Sequence, residues 1–294
     1  MPFLLLKKVF KIMFKQYRFL KIFSSKLQVR FFELIIYLNN QLSYLLFKFN
    51  IKDNANFKEI ESFKNIYLTN KSNDSEMICV IIGNGPSVRT KDLNRIMKLK
   101  NVVTFCANRF YLAYNKTKLR PTYYVSSDSQ VINDFGSELI KKHCSKKLFF
   151  TSLKKIKLNS EKFIKLNLSL LRRFKFSKNI ARGHNVGCST LTSAVQIGYH
   201  MGLRKFYFYG VDHNFNFKMS TDNQAQGDDN HFIKNYRSGK KWYPPLTNLI
   251  EEGFERSDKF LRENGGFLIN ISRRSKLEIL EKRNIDDLFK ASEI

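Results

Sequence analysis

The feature that most constrains the fold is an uninterrupted apolar run at residues 77–82, which leads directly into a Gly-Asn-Gly-Pro-Ser loop at residues 83–87. An apolar run of this length is typical of a parallel strand that is buried on both faces. Glycines at the carboxyl end of such a strand let backbone N–H groups approach a phosphate, and the following helix adds its positive end. Ser87 can bond a phosphate oxygen or cap that helix. The loop therefore predicts a phosphate site, with an ordinary tight turn as the alternative.

Strands and helices alternate along the rest of the chain. Strand-like runs recur at 102–106, 122–126, 147–151, 205–211 and 267–271, and helical segments are predicted at 90–99, 131–143, 189–201, 246–264 and 276–291. This alternation predicts a Rossmann-like α/β domain over residues 77–294, with a mostly parallel sheet and helices on both faces. Such a domain binds ligands at the carboxyl ends of its strands. Residues 213–245 lack periodicity and are interpreted as a lid over that edge.

The first 50 residues differ in composition from this domain. Nine Lys or Arg and a single acid, Glu33, are interleaved with apolar and aromatic residues at helical spacing. A run of about 18 uncharged apolar residues, which a spanning helix needs, is missing. We therefore predict an N-terminal helical extension that associates with an anionic membrane surface. The alternatives are packing on the domain or on a partner subunit, and apolar residues in 30–50 leave a homo-oligomer open. Residues 51–76 are polar and are interpreted as a linker.

Charge and cysteine content narrow the choice of partner and compartment. The chain has 52 Lys and Arg against 25 Asp and Glu, a net charge of +27. Such a field attracts nucleic acid, anionic lipid or phosphorylated substrates, unless it only reflects a lysine-rich proteome. The basic residues are spread and no nucleic-acid-binding signature is present, so nucleic acid is not expected as a partner. Four cysteines without a CxxC pair suit the cytoplasm.

Polar residues follow the other predicted strands at the same edge of the sheet. Asn108 follows the second strand and can bond a base or a sugar, or stabilise its own loop. Asp128 follows the third strand and can bind a ribose hydroxyl or a metal, or cap the next helix. Asp212 follows the strand at 205–211 and can bind a metal, orient His213 or bond loop amides. These positions predict a ligand cleft at the strand ends.

Two further groups complete the candidate site. Ser189 and Thr190 open a buried helix, where hydroxyls form an anion site or an ordinary N-cap. His231 lies in the lid just after two acidic residues, and a carboxylate that orients an imidazole makes a general base. Tyr236 and Arg237, together with Lys240, can hold phosphate charge. The alternative for this cluster is a solvated loop.

The order of these motifs resembles two families. The motifs are GNGPS at 83–87, CANRFYL at 106–112, the hydroxyl-led helix from 189, YGVD at 209–212 and DDNHF at 228–232. In this order they resemble the bacterial sialyltransferases of glycosyltransferase family 42. They resemble equally the MptE-like family, which is related to archaeal 6-hydroxymethylpterin diphosphokinases and is common in bacterial surface-polysaccharide clusters. The resemblance covers about residues 77–272.

The first resemblance implies an inverting, sialyltransferase-like glycosyltransferase of lipopolysaccharide or capsule biosynthesis. With the basic N-terminal extension, we expect it in the cytoplasm, peripheral on the inner face of the bacterial cytoplasmic membrane. Its donor would be a CMP-activated nonulosonic acid or similar sugar, its acceptor a surface glycan or a lipid-linked glycan, and no cofactor would be required. His231 would be the catalytic base. By this resemblance Asn84, Ser87 and Asn108 would line the CMP pocket, and Ser189 and Thr190 would hold the donor's carboxylate. The full predicted site set adds His231 and the residues predicted above from their positions: Gly83, Gly85, Asp128, Asp212, Tyr236 and Arg237.

The second resemblance implies a diphosphokinase that uses ATP and Mg²⁺. Asp128 and Asp212 would then be the candidate metal ligands, because Mg²⁺ bound to a nucleotide favours carboxylates.

Overall fold

A seven-stranded sheet forms the centre of the structure, a computed structural model that describes residues 25–51, 54–68, 77–151, 162–168, 174–222, 224–227 and 229–290. Its strands are β1 (Ile78–Ile82), β2 (Val102–Ala107), β3 (Tyr123–Ser126), β4 (Lys147–Phe150), β5 (Phe163–Lys165), β6 (Lys205–Tyr209) and β9 (Phe267–Asn270). A separate antiparallel hairpin, β7 (Lys218–Met219) and β8 (Ala225–Gln226), lies in the lid.

All neighbouring strands of the sheet pair in parallel, in the order β5-β4-β3-β2-β1-β6-β9. The chain adds strands outward from β1 to β5 and then returns to place β6 on the other side of β1. The winding direction therefore reverses between β1 and β6. In open parallel sheets, ligands bind at such a switch point, outside the carboxyl ends of the strands.

Helices cover both faces of the sheet. They are α1 (Ser25–Lys48), α2 (Ala55–Ser62), α3 (Thr90–Ile96), α4 (Ser129–Lys142), α5 (Thr190–His200), α6 (Thr247–Arg262) and α7 (Ile285–Lys290). Successive side chains of β1 point to opposite faces. Cys79 and Ile81 join a core with α1, α2, α5 and α6, whereas Val80 and Ile82 join a core with α3, α4 and α7. This double burial explains the continuous apolar run.

The sequence predicted this Rossmann-like α/β fold, and the structure confirms it. The predicted terminal helix over 276–291 is wrong in extent, because α7 covers only Ile285–Lys290. Leu277 and Leu280 lie in an irregular segment that precedes this helix and are buried. The short strand β5 was not predicted.

The segment 51–76 contains more structure than its composition suggested. Helix α2 begins after Asn54, whose side chain accepts a hydrogen bond from the Phe57 N–H. Phe57 and Ile60, three residues apart, are buried in the core. The interpretation of 51–76 as a linker is therefore corrected for residues 55–62, while residues 69–76 lie outside the described part.

Helix α1 packs on the domain along one side and exposes apolar side chains on another. Asn40 Nδ2 donates to the Leu168 carbonyl at 2.9 Å, and Tyr44 is buried. The exposed row on the helix consists of Leu34, Leu38 and Leu45, and Phe49 and Ile51, just beyond its end, are exposed as well. The part of the predicted amphipathic extension in residues 1–24 lies outside the described residues. Across the helices that the structure describes, none is both long and apolar enough to span a bilayer.

Candidate active site

The loop 83–87 leaves β1 and packs directly on the turn that follows β6. The Gly83 N–H donates to the Tyr209 carbonyl at 2.7 Å, and the Gly85 N–H donates to the Gly210 carbonyl at 2.9 Å. A Cβ atom on Gly83 would collide with the Gly210 carbonyl oxygen, and one on Gly85 would lie 2.6 Å from Asp212 Oδ2. The glycines are therefore required by the close approach of two backbone segments.

Asp212 holds this loop from the β6 side. The Ser87 N–H donates to Asp212 Oδ2 at 2.6 Å, and the Ser87 hydroxyl donates to Oδ1. Asp212 is 7% exposed, and burial raises the pKa of its carboxyl although the Ser87 bonds oppose that shift. Asp212 was predicted to bind a metal, to orient His213 or to bond loop amides, and the structure shows it bonded to the Ser87 amide of the loop.

These contacts correct the predicted phosphate cradle. The backbone N–H groups of Gly83, Gly85 and Ser87 all donate within the protein, so they are not presented to a phosphate. Ser87 does not cap a helix either, because α3 begins after Arg89. The loop shapes the wall of the cleft through its close packing rather than through open amides.

A cleft of about 600 Å³ opens at the carboxyl ends of β1, β2, β3 and β6, beneath the lid. Every member of the predicted site set lines this cleft except Ser87, which is turned towards Asp212. Residues from six separate stretches of the sequence meet here because parallel strands end at one edge. The sheet topology, with its reversal between β1 and β6, therefore brings the predicted set together.

Two asparagine amides on the strand-end wall offer opposite hydrogen-bonding groups. Asn84 Nδ2 donates to the Ala107 carbonyl at 3.1 Å, and its buried Oδ1 has no hydrogen-bond partner in the described part of the chain. Asn108 Oδ1 accepts from Ser126 Oγ at 3.1 Å and from Thr190 Oγ1 at 3.4 Å. Asn84 is thus left with an acceptor and Asn108 with its amide N–H groups for a ligand.

Behind Thr190, a chain of hydroxyls leads to a buried imidazole. The side-chain oxygens of Thr190 and Ser127 lie 3.1 Å apart, and those of Ser127 and Ser193 lie 3.2 Å apart. His184 Nε2 lies 3.1 Å from Ser193 Oγ, and its Nδ1–H donates to the Asn167 carbonyl at 3.2 Å. Burial lowers the pKa of His184 to about 4, so the ring is neutral at pH 7. We call these linked groups the hydroxyl chain.

Two predicted ligands are helix caps. Asp128 Oδ1 accepts from the Gln130 and Val131 N–H groups at 2.8 and 3.1 Å, at the start of α4. Ser189 Oγ accepts from the Leu191 N–H at 3.3 Å, at the start of α5. Both residues nevertheless line the cleft. The capping alternative is therefore realised for both, while Asp128 Oδ2 still faces no hydrogen-bond donor among the described residues.

The lid places an imidazole against an aromatic ring over the cleft. The rings of His231 and Tyr236 are stacked, with centroids 3.7 Å apart and an interplanar angle of 8°. Tyr236 is buried, which raises the pKa of its hydroxyl, and that hydroxyl accepts from the Arg109 N–H at 3.0 Å. The Phe232 N–H donates to the Asn84 carbonyl at 3.0 Å and joins the lid to the loop 83–87. Asp228, one of the predicted orienting acids, lies outside the described residues.

The basic residues of the lid are turned towards an acid. Arg237 is 6% exposed, and its Nη2 lies 3.5 Å from Asp134 Oδ2. Lys240 Nζ lies 3.4 Å from Asp134 Oδ1 and does not line the cleft. The positive charge that these residues were predicted to offer a phosphate is therefore shared with Asp134.

Two lid anchors were missed at the sequence level. The Arg109 guanidinium is buried, donates to the Tyr236 carbonyl and to Ser238 Oγ, and pairs with Glu138 at 3.2 Å. Gln130 Nε2 donates to the Lys241 carbonyl at 2.9 Å, and Gln130 Oε1 accepts from the Tyr243 N–H at 3.1 Å. The only sequence signal for Arg109 was a charged residue directly beside Asn108, in a loop that follows a buried strand.

A second imidazole, His213, also lines the cleft. Its Nε2 is 2.8 Å from Glu251 Oε1 on α6, and its side chain is 6% exposed. The interpretation that Asp212 orients His213 is wrong. The Asp212 carboxylate accepts hydrogen bonds from Ser87, and the His213 imidazole contacts Glu251 instead. The pair joins residues 38 positions apart, so no local pattern indicates it.

A Mg²⁺ site at Asp128 and Asp212 does not fit the residues as they are arranged. Asp212 would have to release Ser87, and Asp128 already uses Oδ1 as a cap. In the described ranges, no group of three or more His, Cys, Asp or Glu side chains is arranged to hold a metal ion.

Comparisons with known proteins support the fold. The family model of 6-hydroxymethylpterin diphosphokinase MptE-like proteins matches residues 47–217. The chain is similar to the MAf glycosyltransferase of Magnetospirillum magneticum AMB-1, with 13% identity and a TM-score of 0.50 over 80% of this chain. It spans only 40% of the length of that protein.

The chain is also similar to two sialyltransferases of Campylobacter jejuni. CstII, solved with cytidine-5'-monophosphate, gives 12% identity and a TM-score of 0.39, with 72% of this chain and 87% of that chain covered. Cst-I gives 16% identity and a TM-score of 0.40, with 71% and 82% covered. A comparison with curated proteins gives no match.

Proposed function

The chain belongs to the 6-hydroxymethylpterin diphosphokinase MptE-like family, and from this premise we propose that it is a nucleotide-dependent transferase of the glycosyltransferase type. Its donor is a CMP-activated nonulosonic acid or similar sugar, and its acceptor is a surface glycan or lipid-linked glycan. The observation that carries the proposal is the position of His231, held by the lid over a cleft whose opposite wall is formed by the strand ends.

The strand-end wall is suited to a neutral or anionic ligand rich in hydroxyls. Asn84 and Asn108 offer an acceptor and a donor, which match the mixed groups of a base or sugar. Thr190 lies in the first turn of α5, where the helix dipole favours an anion such as the donor's carboxylate. CMP as the carrier rests on the resemblance of these motifs to glycosyltransferase family 42.

His231 would act as the general base. The acceptor hydroxyl attacks the anomeric carbon of the donor, the bond from that carbon to the phosphate oxygen breaks, and the hydroxyl proton passes to His231. The phosphate leaves with the bonding electron pair, and the configuration is inverted. The stack on Tyr236 restricts the imidazole plane, so the ring needs little reordering before it accepts the proton.

The second candidate is a diphosphokinase that transfers a diphosphoryl group from ATP. The description of the matched family favours it. Against it stands the arrangement of the two carboxylates, since Asp212 is occupied by Ser87 and Asp128 is a cap. The glycosyltransferase named among the structural relatives favours the first candidate.

Nucleotide binding separates the two candidates. The purified full chain is titrated with CMP, CDP, UDP and ATP, with and without Mg²⁺, and its thermal stability is followed. Stabilisation by CMP without metal is expected, since ligand that binds only the folded state raises the melting temperature. Stabilisation by ATP with Mg²⁺ alone would overturn the glycosyltransferase proposal. His231→Ala should keep CMP binding and lose turnover of CMP-sugar.

We also propose that the protein is peripheral on the cytoplasmic membrane. Support comes from the nine basic residues among the first 50 and from the exposed apolar row on α1. Cosedimentation with phosphatidylglycerol vesicles should exceed that with phosphatidylcholine vesicles, and Leu34→Gln with Leu38→Gln should weaken it. Met97→Gln, which also replaces an exposed apolar residue, is the control. Unchanged vesicle binding, or loss of a dimer instead, would contradict the proposal.

A further inference from the structure

Two histidines line the cleft, and only His231 has a role in the transfer described above. The other, His213, stands three residues after the Gly210 turn that contacts the loop 83–87. It is therefore close in the chain to the β1–β6 switch point, where open parallel sheets place the phosphates of their ligands. Its position demands an explanation separate from that of His231.

The contact with Glu251 determines which atom of His213 is available. Nε2 is 2.8 Å from Glu251 Oε1, and a carboxylate oxygen can only accept, so Nε2 carries a proton. Nδ1 is then the ring nitrogen left for a ligand, and it has no hydrogen-bond partner among the described residues. When the ring carries a second proton, Nδ1 becomes a hydrogen-bond donor as well.

The basic side chains around the cleft offer little positive charge to a phosphate. Among the described residues that line the cleft, Arg237 is the only Lys or Arg, and it is buried against Asp134. In the loop 83–87, the N–H groups of Gly83, Gly85 and Ser87 already donate hydrogen bonds within the protein. Among the described residues at the ends of β1 and β6, a departing nucleotide phosphate therefore meets no free guanidinium, and the Gly83, Gly85 and Ser87 amides are not available to it.

We propose that His213, held by Glu251, is the catalytic residue that binds and neutralises the departing phosphate of the nucleotide donor. This inference rests on the proposed function. As the bond between the anomeric carbon and the phosphate oxygen breaks, the electron pair stays on that oxygen. The imidazolium donates its Nδ1–H to the oxygen, and the acceptor's proton goes separately to His231. Glu251 keeps the ring oriented and balances its charge.

The test compares a nucleotide with and without its phosphate. Binding of CMP and of cytidine to the full chain is measured by calorimetry for the parent protein, His213→Gln and Glu251→Gln. A hydrogen bond between charged groups supports a preference of about tenfold to a hundredfold for CMP over cytidine. His213→Gln should remove most of that preference through weaker CMP binding, with cytidine binding unchanged. Glu251→Gln should lose a smaller part of it, about threefold.

Glu252→Gln is the matched control. Glu252 is the next residue on α6, pairs with Arg256 and does not line the cleft, so both affinities should stay at the parent values. Turnover of CMP-sugar is measured for the same proteins, and kcat should fall with the CMP preference in His213→Gln.

The outcomes separate the inference from the proposed function. A parent protein that binds CMP in preference to cytidine, and a His213→Gln variant that keeps the whole preference, would overturn the inference and leave the proposed function intact. Loss of turnover in that variant with an unchanged preference would also overturn it, since His213 would then act elsewhere in the reaction. A parent protein that binds no cytidine nucleotide overturns both.

Discussion

The strand-end wall of the cleft and the lid that covers it are held in different ways. The wall is fixed by many contacts between segments that parallel strands bring side by side, such as the loop 83–87 against Gly210 and Asp212. The lid is joined to the rest of the protein by the side chains of Arg109 and Gln130, by the backbone bond from Phe232 to Asn84 and by ion pairs with Asp134. The wall therefore resembles part of the core, whereas the lid is an irregular segment attached to it by separate side-chain and backbone contacts.

This difference matters for function because the two regions face different demands. A donor site benefits from groups that need no rearrangement on binding, and the hydroxyl chain and Asn108 supply them. A lid has to open for substrates and products, and regions with few buried contacts open at low free energy. The family match also ends at residue 217, before most of the lid. We expect damage to the wall to unfold the protein and damage to the lid to release only the cover.

The largest effect is expected at Gly83, where two backbone segments of the wall are in close contact. Gly83→Ala places a Cβ against the Gly210 carbonyl oxygen, and neither backbone can shift without parting β1 from β6. We expect the free energy of unfolding to fall by about 4 kcal/mol, more than the roughly 0.5–3 kcal/mol lost in most single substitutions. Chemical denaturation checks the value.

Gly136→Ala is the control for that substitution. Gly136 lies inside α4, and its added Cβ would meet Ile132 Cγ2 at 3.6 Å, an ordinary contact. Alanine is the better helix former by about 1 kcal/mol, so stability should stay level or rise. Equal losses in the two variants would show that the wall has no special rigidity.

The sequence predicted the wall better than the lid for the same physical reason. Apolar runs mark buried strands, and the residue after each run must lie at the ligand edge, so Asn108, Asp128 and Asp212 were all placed at the cleft. What those side chains bind was not predictable. Asp212 meets Ser87 across 125 residues, and this pairing depends on two strands that are neighbours only in the folded sheet.

The contacts of the lid depend even more on distant parts of the chain. Arg109 reaches Tyr236 across 127 residues, and His213 reaches Glu251 on a helix beyond the lid. Neither pair leaves a periodic pattern, because the lid has no repeating backbone geometry to set one. The position of His231 at the cleft could therefore be predicted from the polar residues around it, whereas the residues that hold the lid in place could not.

The second prediction concerns acid and the hydroxyl chain of the wall. Burial lowers the pKa of His184 to about 4, from an ordinary value of 6.5. Below pH 6.5 the unfolded chain binds a proton that the folded protein does not, so stability is complete above 6.5 and falls as the pH drops towards 4. For one proton, the free energy of unfolding falls by about 1.4 kcal/mol for each pH unit between these two values, or about 3 kcal/mol in total. Denaturation at a series of pH values measures it.

His143 offers a matched comparison, since burial also lowers its pKa to about 4. His184→Gln and His143→Gln should each reduce the slope of stability against pH by one proton. Only His184→Gln should also weaken CMP binding, because His184 supports Thr190 through the hydroxyl chain. Equal CMP affinities in the two variants would show that the hydroxyl chain does not support the binding of the donor nucleotide.

A smaller effect is expected in the lid, at the buried side chain of Arg109. Arg109→Ala removes the bonds to the Tyr236 carbonyl and to Ser238, while Glu138 keeps Lys142 as a partner. We expect the free energy of opening the lid to fall by about 2 kcal/mol, with a smaller change in global stability. Hydrogen exchange of residues 229–245 measures the opening. Arg120→Ala, which removes contacts within residues 114–120 only, should leave that exchange unchanged.

The smallest effect is expected at Gln130, where one side chain makes both a donor and an acceptor bond to the lid. Gln130→Ala loses both bonds, and we expect the free energy of opening the lid to fall by about 1 kcal/mol. Gln130→Glu keeps the acceptor for the Tyr243 N–H but sets a carboxylate oxygen against the Lys241 carbonyl. Exchange at Tyr243 should therefore stay slow in the Glu variant and quicken in the Ala variant. Equally fast exchange in both would mean that the Lys241 bond alone fastens this end of the lid.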